Sequence, residues 1–167
     1  MKLRWSPSVT VAAVIERLVD GTRQFLLVEE HTPEGLKLNN PAGHLDPEES
    51  LEQGVIREVL EETACVFTPD RLVGTYLSRF QRPATGEDVT FVRFAFGGTV
   101  GEPDPARTLD DGIVRTLWMT LPELHACRPR HRSPHVLSCI EDFMAGRGYP
   151  LDAITTDQTV YDPEIKR

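Results

Sequence analysis

Apolar positions along the chain follow two periods. The run Val9-Thr-Val-Ala-Ala-Val-Ile15 is short and β-branched and predicts a buried strand. Asp20-Gly21 tolerates the positive φ angles of a tight turn, so Phe25–Val28 is predicted to return as the second strand of a hairpin. A polar loop, His31–Gly35, leads to Leu36–Leu38 and then to Asn39-Asn40-Pro41-Ala42-Gly43. Further strand-like stretches lie at Leu72–Leu77, Thr90–Phe96 and Ile113–Met119. Between them the period changes to that of a helix. Asp46 suits an N-cap, Pro47 the first helical position, and Glu49 the third, which predicts a capped helix over Pro47–Glu62. On a wheel of 100° per residue, Val55, Ile56, Val59, Leu60 and Thr63 form its core face, and Glu58, Glu61 and Glu62 fall opposite.

Two shorter helices are predicted later. Thr120-Leu-Pro-Glu123 is a second capping box, opening a helix toward His125. Ser133–Ala145 carries Val136, Leu137, Ile140 and Phe143 at helical spacing and stops at Gly146 and Gly148. Strands precede, interrupt and follow helices, so the class is mixed α/β. One domain is expected over residues 1–154, followed by a polar tail over 155–167, and both tryptophans, Trp5 and Trp118, are expected in the core.

Composition narrows the partners. Among 167 residues, 26 acids stand against 18 lysines and arginines, a formal net charge of −8. That balance excludes general binding to polymeric nucleic acid, which needs a basic stripe, and docking on an anionic membrane surface. The one basic cluster, Arg128-Pro-Arg-His-Arg132, reads as a solvated loop or an anion contact. Lys2 and Arg4 precede an apolar run that Thr10 interrupts and Glu16-Arg17 ends, so neither a leader nor a membrane helix is expected. Three cysteines, Cys65, Cys127 and Cys139, have no Cys-x-x-Cys spacing and read as reduced thiols in a cytoplasmic protein.

The negative charge is concentrated. Residues 43–65 hold seven acids (Asp46, Glu48, Glu49, Glu52, Glu58, Glu61, Glu62) and one base, Arg57. Glutamates one helical turn apart repel by a few tenths of a kcal/mol per exposed pair, and by more when partly buried. A divalent cation relieves that repulsion. Carboxylates at this spacing suit a hard ion such as Mg²⁺, or Mn²⁺ in its place, with substrate phosphates completing the shell. Gly54, one turn before Glu58, is explained if something must approach the helix backbone there.

The arrangement is specific. Gly43 is followed by five residues, then Glu49, seven residues, and Arg57-Glu58-Val59-Leu60-Glu61-Glu62. This resembles the signature of the Nudix hydrolases, and chance matching at its first seven specified positions is about 10⁻⁷ per starting point. Ala64 stands where the family has glycine and Cys65 where it has an aliphatic residue, which bears on the helix end rather than on the glutamates. Val28-Glu-Glu30, Pro41-Ala-Gly-His-Leu45, Val92-Arg-Phe94, Arg132-Ser-Pro134 and Tyr149-Pro-Leu151 are similar to the NudJ-type phosphatases of that family.

The resemblance implies an α/β/α sandwich with a mixed sheet and hydrolysis of small pyrophosphates. It implies Glu58 and Glu62 as metal ligands, Glu61 as a ligand or a holder of metal-bound water, and the Gly43 carbonyl as a further ligand. Arg57 would orient the glutamates, and Glu49 would orient Arg57 or the loop. The general base is expected among the box glutamates, Glu58 or Glu61. His44 and Arg93 are candidate substrate contacts, although His44 is also explained as a solvated loop residue and Arg93 by a salt bridge to Glu29 or Glu30. Asp110 and Asp111 lie where relatives often supply another acid and also read as turn residues before Gly112. Nucleoside tri- and diphosphates and thiamine-pathway pyrophosphates, losing phosphate, are the implied substrates. A nucleotide-sanitising or dinucleoside-polyphosphate pyrophosphohydrolase and a non-catalytic nucleotide-binding regulator are the alternatives. The oligomeric state is not legible.

Overall fold

A computed structural model describes residues 5–164. The expectations at Lys2 and Arg4 and at the end of the tail lie outside the described residues. Seven strands form one mixed sheet: β1 (Ser8–Val19), β2 (Thr22–Thr32), β3 (Gly35–Asn39), β4 (Ala42–His44), β5 (Phe67–Gln81), β6 (Asp88–Val100) and β7 (Ile113–Thr120). The helices are α1 (Leu51–Thr63), α2 (Leu121–Ala126) and α3 (His135–Met144). No described helix is long and apolar enough to cross a membrane.

Strand β1 splits the sheet. Its first half pairs parallel with β6, from Ser8–Phe91 to Ile15–Gly98, and antiparallel with β4 on its other edge, from Thr10–His44 to Ala12–Ala42. Its last residues, Glu16–Val19, pair with β2 through the predicted hairpin. Asp20 and Gly21 turn it with φ of 49° and 77°. Strand β2 carries β3 and β7, and β5 closes the far edge against β6. The crease between the two halves opens beside β4.

Alternation along β1 builds two cores. Val11, Ala13 and Ile15 pack with Val55 and Val59 of α1, Phe67, Leu72 and Phe96. Val14 packs on the other face with Phe25, Leu27, Val73 and the α3 residues Val136, Ile140 and Phe143. Helices therefore cover both faces of a mixed sheet, as the α/β/α expectation requires.

Local chemistry moved several boundaries. Helix α1 begins at Leu51 rather than Pro47, capped by a Ser50–Gln53 box instead of Asp46–Glu49. Glu48 sits at φ 67°, which a helix does not accept. The Asp46 N–H still donates to Glu49 Oε1 at 2.7 Å, so half of the expected box forms within the loop. The second box, Thr120–Glu123, opens α2 as expected. Helix α3 starts at His135, two residues late, behind Pro134. Trp5 is 70 % exposed, contrary to expectation, whereas Trp118 packs on the α1-side core under the guanidinium of Arg17. Ile154 packs on that core too, and a 3₁₀ turn at Gln158–Tyr161 follows it.

Candidate active site

The segment after β3 is pinned before the helix starts. Pro41 O accepts from Ala13 N–H at 2.9 Å, and Leu45 N–H donates to Val9 O at 3.1 Å. These bonds hold Gly43 and His44 on the edge of β1. Helix α1 then lies across β1, β4 and β5, with Glu58 and Glu62 turned toward β4.

That placement corrects the helical wheel. Glu58 and Glu62 are only 8 % and 7 % exposed and share the buried side with Gly54, Val55, Val59 and Thr63. The helix is covered by β4 as well as by the main sheet, so its buried arc is wider than the apolar stripe alone. Gly43 and Glu58 meet so closely that a Cβ at position 43 would overlap the Glu58 carboxylate. Gly54 has a similar reason: a Cβ there would stand 2.9 Å from Glu49 Oε1 and 3.2 Å from Leu45 Cδ1.

Arg57 organises the acids. Its Nε donates to Glu49 Oε2 at 3.0 Å, and its Nη2 to Glu49 Oε1 at 2.7 Å and to the His44 carbonyl at 3.0 Å. Its Nη1 donates to Glu58 Oε1 at 2.8 Å and to Glu61 Oε2 at 2.9 Å. Charge-assisted bonds of this kind fix geometry as well as energy. Burial pushes the Glu49 carboxyl up, but the Arg57 guanidinium and the Asp46 N–H outweigh it and hold the group below its ordinary range.

The two inner glutamates both shift upward, opposite to Glu49. Burial raises Glu58 despite Arg57, and the charges of Glu61 and Asp110 add to the effect. Burial pushes Glu62 up to about 8, against a single Ala42 N–H donor at 2.9 Å, with Glu58, Glu30 and Asp110 raising it further. Asp110 therefore stands near the acids, its N–H donating to the Glu61 carbonyl at 3.0 Å. Gly112, at φ 93°, completes the turn. The Asp104 N–H donates to Ala64 O at 2.9 Å, so the segment before β7 satisfies carbonyls that the end of α1 leaves open. Ala64 adopts the left-handed conformation at φ 59° that the family's glycine would take.

Among the described residues no three His, Cys, Asp or Glu side chains converge into a ready coordination group. The reason is visible: Arg57 draws Glu58 and Glu61 to itself, and Glu62 turns to Ala42. The donor set nevertheless suits a hard divalent ion. The Glu58 carboxylate meets the Gly43 peptide, the Glu62 carboxylate meets the neighbouring Ala42 N–H, and among the described residues no cation pairs with the desolvated Glu62.

The two candidate substrate contacts are placed differently. His44 is exposed at the end of β4, beside the Arg57 cluster. Arg93 lies in the crease, and its Nη1 and Nη2 donate to Asn40 Oδ1 and Asn39 Oδ1, each at 3.3 Å. Neither expected carboxylate forms its salt bridge: Glu29 pairs with Arg115 and Arg130, and Glu30 with Arg132. The basic cluster before α3 thus staples its loop to β2. Asn39 and Asn40 were missed as partners of Arg93; an arginine in an apolar strand demands polar neighbours, and this buried pair beside the glycine turn supplies them.

Residues 8–137 match the NUDIX domain family. Phosphatase NudJ of Escherichia coli is 31 % identical over 150 residues, spanning 90 % of this chain and 92 % of its own length. A NUDIX hydrolase structure from Nitrosomonas europaea is 48 % identical, covers 91 % of this chain and 98 % of its own, and superposes with a TM-score of 0.79. The NUDIX domain of Shewanella oneidensis NrtR, solved with ADP ribose, shares the fold at 21 % identity and a TM-score of 0.67, covering 86 % of this chain and 90 % of its own. With its signature glutamates gathered around Arg57 and Gly43, the chain belongs to the Nudix family of hydrolases that act on phosphorus-containing anhydrides.

Proposed function

We propose that this chain is a Mg²⁺-dependent hydrolase of small pyrophosphates, chiefly nucleoside tri- and diphosphates and thiamine-pathway pyrophosphates, that releases phosphate. The observation that carries the reading is the meeting of buried Glu58 with Gly43 and of buried Glu62 with the neighbouring Ala42 N–H, with Arg57 fixing Glu49, Glu58 and Glu61 around them. The similarity to phosphatase NudJ supports phosphate as the group released. Enzymes of this family generally use a divalent metal. Glu58, Glu62 and the Gly43 carbonyl would hold it here, with Glu61 at the outer edge, and Mn²⁺ would substitute.

When bound, such an ion neutralises the polyphosphate, polarises the P–O bond and makes water more acidic. The chain's own groups do the rest. Glu58 or Glu61 accepts the proton of the attacking water, within a cluster whose geometry Arg57 and Glu49 maintain. His44, at the rim, and Arg93, in the crease, contact the substrate. The three free thiols, Cys65, Cys127 and Cys139, support a cytoplasmic site of action.

The test is product analysis. Purified chain with Mg²⁺ and ATP should release phosphate and leave ADP and then AMP. Release of pyrophosphate alone would favour the pyrophosphohydrolase alternative, and an untouched panel of nucleotides and thiamine diphosphate would favour a binding role.

A further inference from the structure

The basic segment before α3 carries more positive charge than its ion pairs consume. Arg130 shares the Glu29 carboxylate with Arg115, and Arg132 pairs with Glu30. Lys37 Nζ adds a further cation, donating to the Pro129 carbonyl at 3.0 Å. Among the described residues Arg128 has no carboxylate partner; its Nη2 meets Nδ1 of His125 at 3.1 Å. A guanidinium only donates, so Nδ1 accepts, and the ring proton on Nε2 points to Glu141 Oε1 at 3.2 Å. Glu141 thus orients the histidine, and the histidine orients Arg128 without cancelling its charge. The chain has a net charge of −8, so carboxylates to pair with are plentiful. An arginine held through a ring nitrogen instead keeps its charge available for an anion.

Arg128 stands on the wall of a cleft of about 460 Å³, within the range of about 300–1,000 Å³ usual for small-molecule sites. Arg132 and His131 line the same cleft, and Pro134 and Leu137 give it an apolar side. Glu141 is the one acid on the wall, and His125 engages it. Burial and the charge of Arg128 hold His131 below its ordinary range, so the positive charge of the cleft rests on the two arginines. Of the Arg132 nitrogens, Nη1 is taken by Glu30, which leaves Nε and Nη2 for another acceptor. A carboxylate satisfies one guanidinium fork, whereas the three terminal oxygens of a phosphate serve two. The apolar side then suits a short organic group attached to it. The cleft is also separate from the acidic cluster. Helix α3 packs on the sheet face of Val14 and Phe25, and α1 on that of Val11 and Ile15, so the two lie on opposite sides of the sheet.

We infer that the cleft between Arg128 and Arg132 binds a terminal phosphate group, free or on a small phosphomonoester, on the far side of the sheet from the acidic cluster. Its own charge is positive, so it needs no divalent ion. The site is independent of the proposed hydrolysis and stands or falls without it.

The test is a titration of the full chain in EDTA, at constant ionic strength, with inorganic phosphate and separately with glycerol phosphate, followed by the amide resonances in NMR. Without a divalent ion the acidic cluster repels both probes, and no turnover is needed. Saturable shifts centred on residues 128–138 are expected. Arg128→Gln, a change at an exposed position, should raise Kd about tenfold, the loss usual for one charge-assisted hydrogen bond. Arg107→Gln is the control: Arg107 is exposed, lies outside the cleft and also has no carboxylate partner among the described residues, so removing it deletes the same charge elsewhere. It should leave Kd unchanged. The amide spectrum itself reports whether each variant is folded. Tighter binding of glycerol phosphate than of phosphate would assign the apolar side to the ester group, and equal binding would assign the site to the free ion; both uphold the inference. Absence of saturable binding, shifts centred on residues 43–62, or equal weakening by the two substitutions would overturn it.

Discussion

Arg57 and Glu49 form a two-point ion pair, Nε to Oε2 at 3.0 Å and Nη2 to Oε1 at 2.7 Å, that ties the middle of α1 to the loop before it. The same Glu49 oxygen accepts from the Asp46 N–H, and the same Nη2 donates to the His44 carbonyl. Loop and helix are thus locked through one guanidinium. Arg57→Lys keeps the charge but cannot make the fork. It should lower kcat/KM by about 10- to 100-fold, the range usual for groups that orient metal ligands, with a small change in melting temperature. Glu49→Gln should fall in the same range. Steady-state kinetics beside a thermal melt checks this, and wild-type kcat/KM in both variants would reduce the pair to a surface salt bridge.

Gly43→Ala tests the contact between the turn and the helix. A Cβ would overlap the Glu58 carboxylate, so either the strand edge or the carboxylate must move. Because Gly43 is only partly buried, in a strand of three residues, the fold should survive. Activity should drop by about 100-fold or more, since misplacing a reacting group by an ångström has that effect. The thermal shift produced by Mg²⁺ should shrink in parallel. Full activity in the variant would show that Glu58 works equally well elsewhere.

Much of this site was legible because it rests on local spacing. Gly43, Glu49, Arg57, Glu58, Glu61 and Glu62 are joined by one loop and one helix, and the spacing brings them together whatever the rest of the chain does. The hairpin at Asp20-Gly21 and the cap at Thr120 were legible for the same reason. What failed depended on contacts distant in sequence. Glu62 follows Val55 by seven residues and so stands about 20° from it on a wheel of 100° per residue, inside the core arc rather than opposite it, whereas Glu58, about 60° from Val55, is buried because β4 folds over that side, which a wheel cannot register. The cap expected at Asp46 gave way to Ser50, because Glu48 takes φ 67°, which a helix does not accept. Arg93 found Asn39 and Asn40 rather than Glu29 or Glu30, because arginines from the loop before α3 and from β7 had already taken those carboxylates.

Ala64 provides a stability test. It holds φ 59° at the end of α1, where a Cβ is strained by about 1 kcal/mol and glycine is not. The strain persists because the Asp104 N–H binds its carbonyl and its own N–H bonds Leu60 O at 3.0 Å. Ala64→Gly should raise the melting temperature by about 2–4 °C in a chain of this size and leave kcat unchanged. A lower melting temperature would mean that the buried methyl contributes more than the strain removes.

Glu62 sets the pH dependence of the metal-free protein. Its folded pKa of about 8 lies above the ordinary 4.5, so the native state holds this proton more tightly than the unfolded chain does. The associated stability is fully present below about pH 4.5 and is lost as pH rises through about 8. Glu58 is shifted in the same direction and adds to the slope. Without divalent ions, the melting temperature should therefore decline across this window by several degrees. Glu62→Gln, which cannot ionise, should flatten much of the decline and be the more stable form at pH 8. A divalent ion reverses the preference, because it binds the charged carboxylate in competition with the proton. Its stabilising effect on wild type should thus be larger at pH 8 than at pH 5 and should largely vanish in Glu62→Gln. Turnover should rise over the same interval as the acids lose their protons, and fall sharply in the variant. Parallel melting curves for wild type and Glu62→Gln across pH 5–9, with equal responses to Mg²⁺, would remove Glu62 from the metal site.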